Sequence, residues 1–339
     1  MKSVDYWRKR SEQVHNEQFR KTDKYMDTTL KREYDRATAS IRRDIEVFYQ
    51  RFATNNEIDL AEARKLLNSD QLNEFKMSLE EFTNLAKNNP DGRWTQILNN
   101  VYYKVRVSRL QALQIQIEAA IQSVNMKQDE QMTDLLSDIY TDTYHRTMFE
   151  IQKGLGIGTS FAKVGDVKSI VQQPWLEENY SKRIWKDNSK LVQQLQTQLT
   201  QSIIRGDSIE SMTKTISERM GVGYRAAQRL VRTEASHIQN EASFSAYRAS
   251  GVVQKYEFLA TLDSKTSQIC RSMDNEVFTL AEKEIGVNFP PLHANCRSTT
   301  VPYFDDEINP GERIARDSRG SYMVPANMPY REWLDKYVS

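Results

Sequence analysis

Cys270, His293 and Cys296 lie close together in the last third of the chain, and they are residue types that zinc selects. Zinc takes thiolate sulfur and imidazole nitrogen in a tetrahedron, usually from two close pairs that the fold brings together. His293-x-x-Cys296 is one such pair by spacing, and it follows Pro290-Pro291. The second pair is broken, because Cys270 is preceded at the matching distance by Ser267, a poor zinc ligand. Asp263 could supply the fourth contact, or it could cap the turn Asp263-Ser264-Lys265-Thr266. Three readings stay open: a structural zinc, a metal-free knuckle held by hydrogen bonds and packing, and a catalytic site. A thiol nucleophile would need an orienting third residue and an oxyanion hole, and nothing in the pattern marks either. A metal-assisted hydrolase or nuclease built on His293, the cysteines and Glu234 is the enzymatic alternative, and it would need an open metal position and a base.

Other residues invite chemistry less completely. Glu234, His237 and Glu241 share one helix face, and Glu-x-x-His is the spacing of di-iron bundles, but EASH occurs once and such sites need a second copy. A hydrogen-bonded network joining the helix to the sheet is the better fit, with Arg232 paired to Glu234 or to a carboxylate across the interface. The run Gly154-Leu155-Gly156-Ile157-Gly158 lacks the lysine of a phosphate loop and reads as a hinge or turn. Lys104, Arg106 and Arg109, and likewise Arg225, Arg229 and Arg232, form basic groups that are either solvated helix faces or contacts for phosphate.

Composition sets the frame for these groups. The chain has 339 residues, enough for two cores, and a net charge of +1, so no global field recruits nucleic acid. No apolar run is long enough to span a bilayer. The start, MKSVDYWRKRSEQ, lacks the apolar stretch of a secretory signal, which predicts synthesis in a reducing cytoplasm and free or metal-bound thiols. Residues 3–53 hold no Pro or Gly, and Tyr34, Ile41, Ile45, Phe48, Tyr49 and Phe52 recur at helical spacing. Two short helices are expected between residues 59 and 88, then long ones over Trp94–Met126 and Asp129–Ile151. Further helices should follow from Asp166 to Arg205, broken at Pro174, from Ile209 to Gly221, and from Tyr224 to Ser250, where Gly251 stops the last. The period then switches to two, with Val252, Tyr256, Phe258, Ala260 and Leu262 on one face and Lys255 and Glu257 on the other. Short strands at Glu276–Phe278 and Thr299–Val301 would complete an antiparallel sheet, the latter at an edge because Pro302 cannot donate. The fold class is mostly α with a C-terminal α+β part: a helical region over 1–160, and a second domain over 161–339 whose sheet and knuckle occupy 252–304.

At Arg232-Thr233-Glu234, Asn240, Asp263, Cys270 and PPLHANCRS, which ends in the Arg297 pair, the chain resembles the Mu F-like family, the head morphogenesis or minor head proteins of tailed phages. DYWRKRSEQ, YSKRIW, RGDSIESMTKTISERM and MPYREWLDKYV extend the likeness to minor head proteins of long-tailed phages of Gram-positive hosts. Many members have cysteine where this chain has Ser267, so the likeness leaves metal binding open. It implies a structural virion component made in the host cytoplasm. Such a component sits inside the capsid near the portal, with portal protein, scaffolding protein and double-stranded DNA as partners, and can leave with the genome. The stretch after Cys296 is too short for the toxin domain that some members carry.

Overall fold

Where the first 55 residues lack Pro and Gly, one helical path forms. In the computed structural model, which describes residues 3–55, 101–156, 164–205, 207–304, 312–317 and 320–325, it is built from α1 (Val4–Lys24), a π-helical turn (Tyr25–Leu30) and α2 (Lys31–Asn55). Ser3 caps α1 by accepting from the Tyr6 amide at 3.4 Å. Tyr34, Ile41, Ile45, Phe48 and Tyr49 are buried, as their spacing predicts. The helices expected between 59 and 88 lie outside the described residues, as do the side chains of Phe52, Lys104, Arg106 and Arg109.

Two expected breaks do not occur. α3 (Val101–Leu155) runs for 55 residues through the polar stretch where a stop was expected. There Asn125 and Gln128 turn inward and are buried, while Lys127 reaches Glu33 at 2.7 Å, so polarity serves packing rather than a loop. α4 (Val167–Val171) and α5 (Tyr180–Arg205) flank Pro174 as predicted. α6 (Ile209–Ser250) then passes straight through Gly221-Val222-Gly223. A Cβ on Gly223 would lie 2.6 Å from Leu191 Cδ2, so this glycine permits close helix approach instead of ending the helix. The true stops are Gly156 and Gly251, at φ +67° and +68°.

β1 (Lys255–Leu259) is the centre of an antiparallel sheet, between β2 (Val277–Thr279) and β3 (Thr299–Tyr303). Tyr256 pairs with Phe278 on one side and with Pro302 on the other, which leaves the proline strand at the edge. Glu257, on the face opposite the apolar residues, does not face water. It is 1% exposed and meets Arg8 of α1 at 2.5 Å, because α1 covers that side of the sheet. A hairpin of β4 (Glu312–Asp317) and β5 (Gly320–Pro325) follows, which the residue pattern did not signal.

Contacts divide the chain into two compact units. One is Met1–Asp27, Asp129–Ser181 and Gln228–Ser339, and it carries the sheet; the other is Thr28–Gln128 and Lys182–Ala227. This differs from the division expected near residue 160, since the first residues join the last ones. The core of the sheet-bearing unit contains Trp7, Ile151, Phe244, Tyr247, Tyr256, Phe289 and Val301. Trp7 explains Gly154, where a Cβ would sit 2.2 Å from the indole. No described helix is long and apolar enough to cross a membrane.

Candidate metal centre

The knuckle begins at Ser267, which caps the short helix α7 (Gln268–Met273) by accepting from the Cys270 amide at 3.4 Å. That cap points the Cys270 side chain inward. The chain returns through the cis Pro290-Pro291 bond and a tight turn in which the Cys296 amide donates to the His293 carbonyl at 3.1 Å. Asn295, at φ +59°, carries this turn. The result is that Cys270, His293 and Cys296 place one ligand atom each within 4.8 Å of one another.

The sulfurs are 3.7 Å apart, and Cys270 Sγ is 3.2 Å from His293 Nε2. Ligands at zinc distances, about 2.3 Å for sulfur and about 2.0 Å for nitrogen, stand about 3.8 Å and about 3.5 Å from each other at tetrahedral angles. The two distances from Cys270 therefore come close to two edges of a zinc tetrahedron. His293 Nδ1 lies 2.8 Å from the Ala294 carbonyl, which can only accept, so Nδ1 carries the proton and Nε2 presents its lone pair to the sulfurs. Ser267 Oγ is 2.7 Å from the same Nε2 and stands where the fourth donor of the broken pair would be.

Electrostatics agree with a shared proton. Cys270 donates to Cys296, which holds the Cys296 thiol well below its ordinary range against the opposing effect of burial. The same bond, with burial, pushes Cys270 up. The Cys296 sulfur in turn raises His293, with burial opposing. Around these groups Phe258, Ala260, Met273, Phe278 and Leu292 form an apolar shell.

Asp263 is not brought to the three donors. Its carboxylate is taken by Arg297, which donates to it through both Nη atoms, one at 2.7 Å, and it caps the turn by accepting from the Lys265 amide at 2.9 Å. Burial works against its ionisation, but Arg297 outweighs burial and leaves the Asp263 carboxyl below its usual value.

The other signature residues grip the knuckle from α6. Thr233 Oγ accepts from the Asn295 amide at 3.0 Å while donating to the Arg229 carbonyl. Asn240 Nδ2 donates to the Ser298 carbonyl at 3.4 Å, and its Oδ1 accepts from Thr299 at 3.2 Å. Tyr247 donates to the Thr300 carbonyl at 3.0 Å. Residues 233, 240 and 247 are two turns apart each, so one stripe of α6 reads the backbone from 295 to 300. Tyr247 was not singled out by sequence, although its spacing from Asn240 was a usable signal.

Glu234, His237 and Glu241 do form a network, but with different partners from those expected. Glu234 accepts from Trp175 Nε1 at 2.7 Å, His237 stacks on that indole at 4.3 Å, and Glu241 holds Lys283. Arg232 pairs with Asp23 of α1 at 3.2 Å, not with Glu234. His15 of α1, unremarked in the sequence, meets Gln239 of α6 at 3.1 Å. Arg225 and Arg229 are exposed one turn apart on α6.

Residues 193–301 match the family model described as Phage Mu protein F like protein. Among curated proteins, NAD(+)--arginine ADP-ribosyltransferase EFV of Enterococcus faecalis is 23% identical over 247 residues, 68% of this chain. The chain spans about half (50%) of the length of that relative. No solved structure matches.

Proposed function

We propose, from the match of residues 193–301 to the family model described as Phage Mu protein F like protein, that the chain is a minor head protein of a tailed phage, acting in head morphogenesis at the portal vertex inside the procapsid. The observation that carries this reading is the extent of the family match. It covers α6, the knuckle and the strands that α6 grips, which is the part of the molecule with the most specific side-chain architecture. The proposed role is structural, and it is supported by where the signature residues are spent: Arg232 on α1, Glu234 on Trp175, Thr233 and Asn240 on the knuckle and β3, and Arg297 on Asp263.

The geometry supports the structural reading over the hydrolase alternative. Both His293 ring nitrogens are engaged, Nδ1 by the Ala294 carbonyl and Nε2 by the Ser267 hydroxyl, and Asp263 is held by Arg297. Cys270, His293 and Cys296 would hold a structural zinc, with Ser267 at the fourth corner; the ion would close the knuckle and neutralise the sulfurs. Double-stranded DNA is the second partner proposed, a reading supported by the exposed Arg225 and Arg229.

The test is co-purification with portal protein and recovery from procapsids. The chain should be found in both, and its absence from heads assembled by its own phage would sink the reading. Deleting the first helix is the wrong probe for docking, because α1 covers the sheet and its loss would strip Glu257 of Arg8. For DNA, affinity should fall steeply with salt, and a flat dependence would remove it as a partner.

A further inference from the structure

Between Lys168 and Lys182 the only charged residues are Glu177 and Glu178, and they follow Leu176 in a tight turn. Trp175 and Glu178 close that turn, with the Trp175 amide donating to the Glu178 carbonyl at 3.2 Å. Leu176 and Glu177 both have left-handed backbone, at φ +48° and +76°. That is the geometry of a two-residue turn that favours Gly, Asn or Asp at both central positions. Leu is a poor residue there, since its branched side chain is strained at positive φ and gains nothing by burial: it is 65% exposed.

The base beneath the tip is rigid. Trp175 is 9% exposed, stacks on His237 and donates to Glu234, and Asn179 ties the turn back to the Gln172 carbonyl at 3.1 Å. A stiff base that holds an apolar side chain outward in strained backbone is a cost to the isolated chain. Such outliers concentrate where the strain is used.

We infer that the Leu176 turn is a docking knob for a protein partner whose complementary surface is an apolar socket rimmed by cationic side chains. Leu176 enters the socket, and the exposed Glu177 beside it meets the rim. The absence of any cationic residue between Lys168 and Lys182 argues against nucleic acid at this point. The inference rests on the reading of the chain as a component of the phage head, and it says which surface that component uses.

The experiment uses the full chain, the purified portal protein of the same phage, and procapsids assembled with tagged variants. Leu176→Gly keeps the turn and relieves the positive φ. It should melt at or above the wild-type temperature while portal affinity drops at least tenfold and incorporation into procapsids falls in step. Glu177→Lys should also weaken binding, more so at low salt. Unchanged affinity and incorporation for Leu176→Gly would overturn the knob, as would a lowered melting temperature, which would show that Leu176 packs internally. If the wild-type chain enters procapsids but does not bind portal, the portal reading fails and procapsid incorporation of Leu176→Gly still decides the knob. If it enters no procapsids, both fail.

Discussion

Under α1, Arg8 and Glu257 face each other at 2.5 Å and neutralise one another, each almost wholly buried. At the knuckle, two sulfurs and a nitrogen converge inside an apolar shell, and their lone pairs point at a common volume. Both places bury polar atoms, and the difference lies in what each leaves to offer. A closed ion pair presents nothing to a ligand and is worth having mainly because breaking it is costly. Convergent donors gain from a cation that takes all of them at once.

The comparison can be broken most sharply at the clasp. Arg8→Ala leaves Glu257 buried without its cation and should cost about 3–5 kcal/mol of stability in urea unfolding. Arg8→Met with Glu257→Leu should recover most of that loss. A cost for Arg8→Ala near that of an exposed pair would mean the clasp is no clasp.

Next in size is another bond of α1, the one that His15 makes to Gln239. Burial, the largest influence, lowers its pKa to about 4, although Gln239 and the backbone of Arg297 work the other way. The unfolded value is about 6.5, so the folded form binds its proton less readily. His15 therefore contributes fully above about pH 6.5, and its contribution erodes as pH falls and is gone by about pH 4, a loss on the order of 3 kcal/mol. Unfolding midpoints from pH 7.5 to 4 should show this slope in the wild type and lose it in His15→Gln. An equal slope in both would assign the acid sensitivity elsewhere.

The smallest effect sharpens the knuckle side. Zinc at a hundredfold over its dissociation constant should add about 2.7 kcal/mol. Ser267→Cys completes the tetrahedron and should hold zinc at chelator concentrations that strip the wild type, while Cys296→Ser should bind none. Metal analysis of the three proteins, with melting temperatures before and after chelation, checks the order. Equal retention by wild type and Ser267→Cys would show that the fourth corner does not limit affinity.

Much of this was legible because some residues act locally. Gly251 stops a helix, Pro302 marks an edge strand and Pro174 separates two helices through their own backbone constraints, and each is found in that role. What failed depended on partners far away in sequence. Gly223 looked like a stop but makes room for Leu191, and nothing near Glu257 in sequence announces the Arg8 above it. The polar stretch at Asn125–Gln128 looked like a loop because inward-facing amides cannot be told from outward-facing ones by composition. At the knuckle, residue types alone named Cys270, His293 and Cys296, whereas Asp263 could be placed only once Arg297 was seen to hold it.

The clasp also governs the order in which the molecule can be finished. Arg8 and Glu257 are 249 residues apart, so the first helix leaves the ribosome long before the strand that it must cover. Domains usually fold as units while synthesis proceeds. Here α1 can first pair with α3, through Tyr6 to Glu150, Gln18 to Asp142 and Lys21 to Asp138, but its sheet-facing side stays uncovered until β1 to β3 emerge. Contacts so far apart in sequence form last, a topology that slows folding. It also makes integrity of the first 27 residues a condition for the last 112 to be stable.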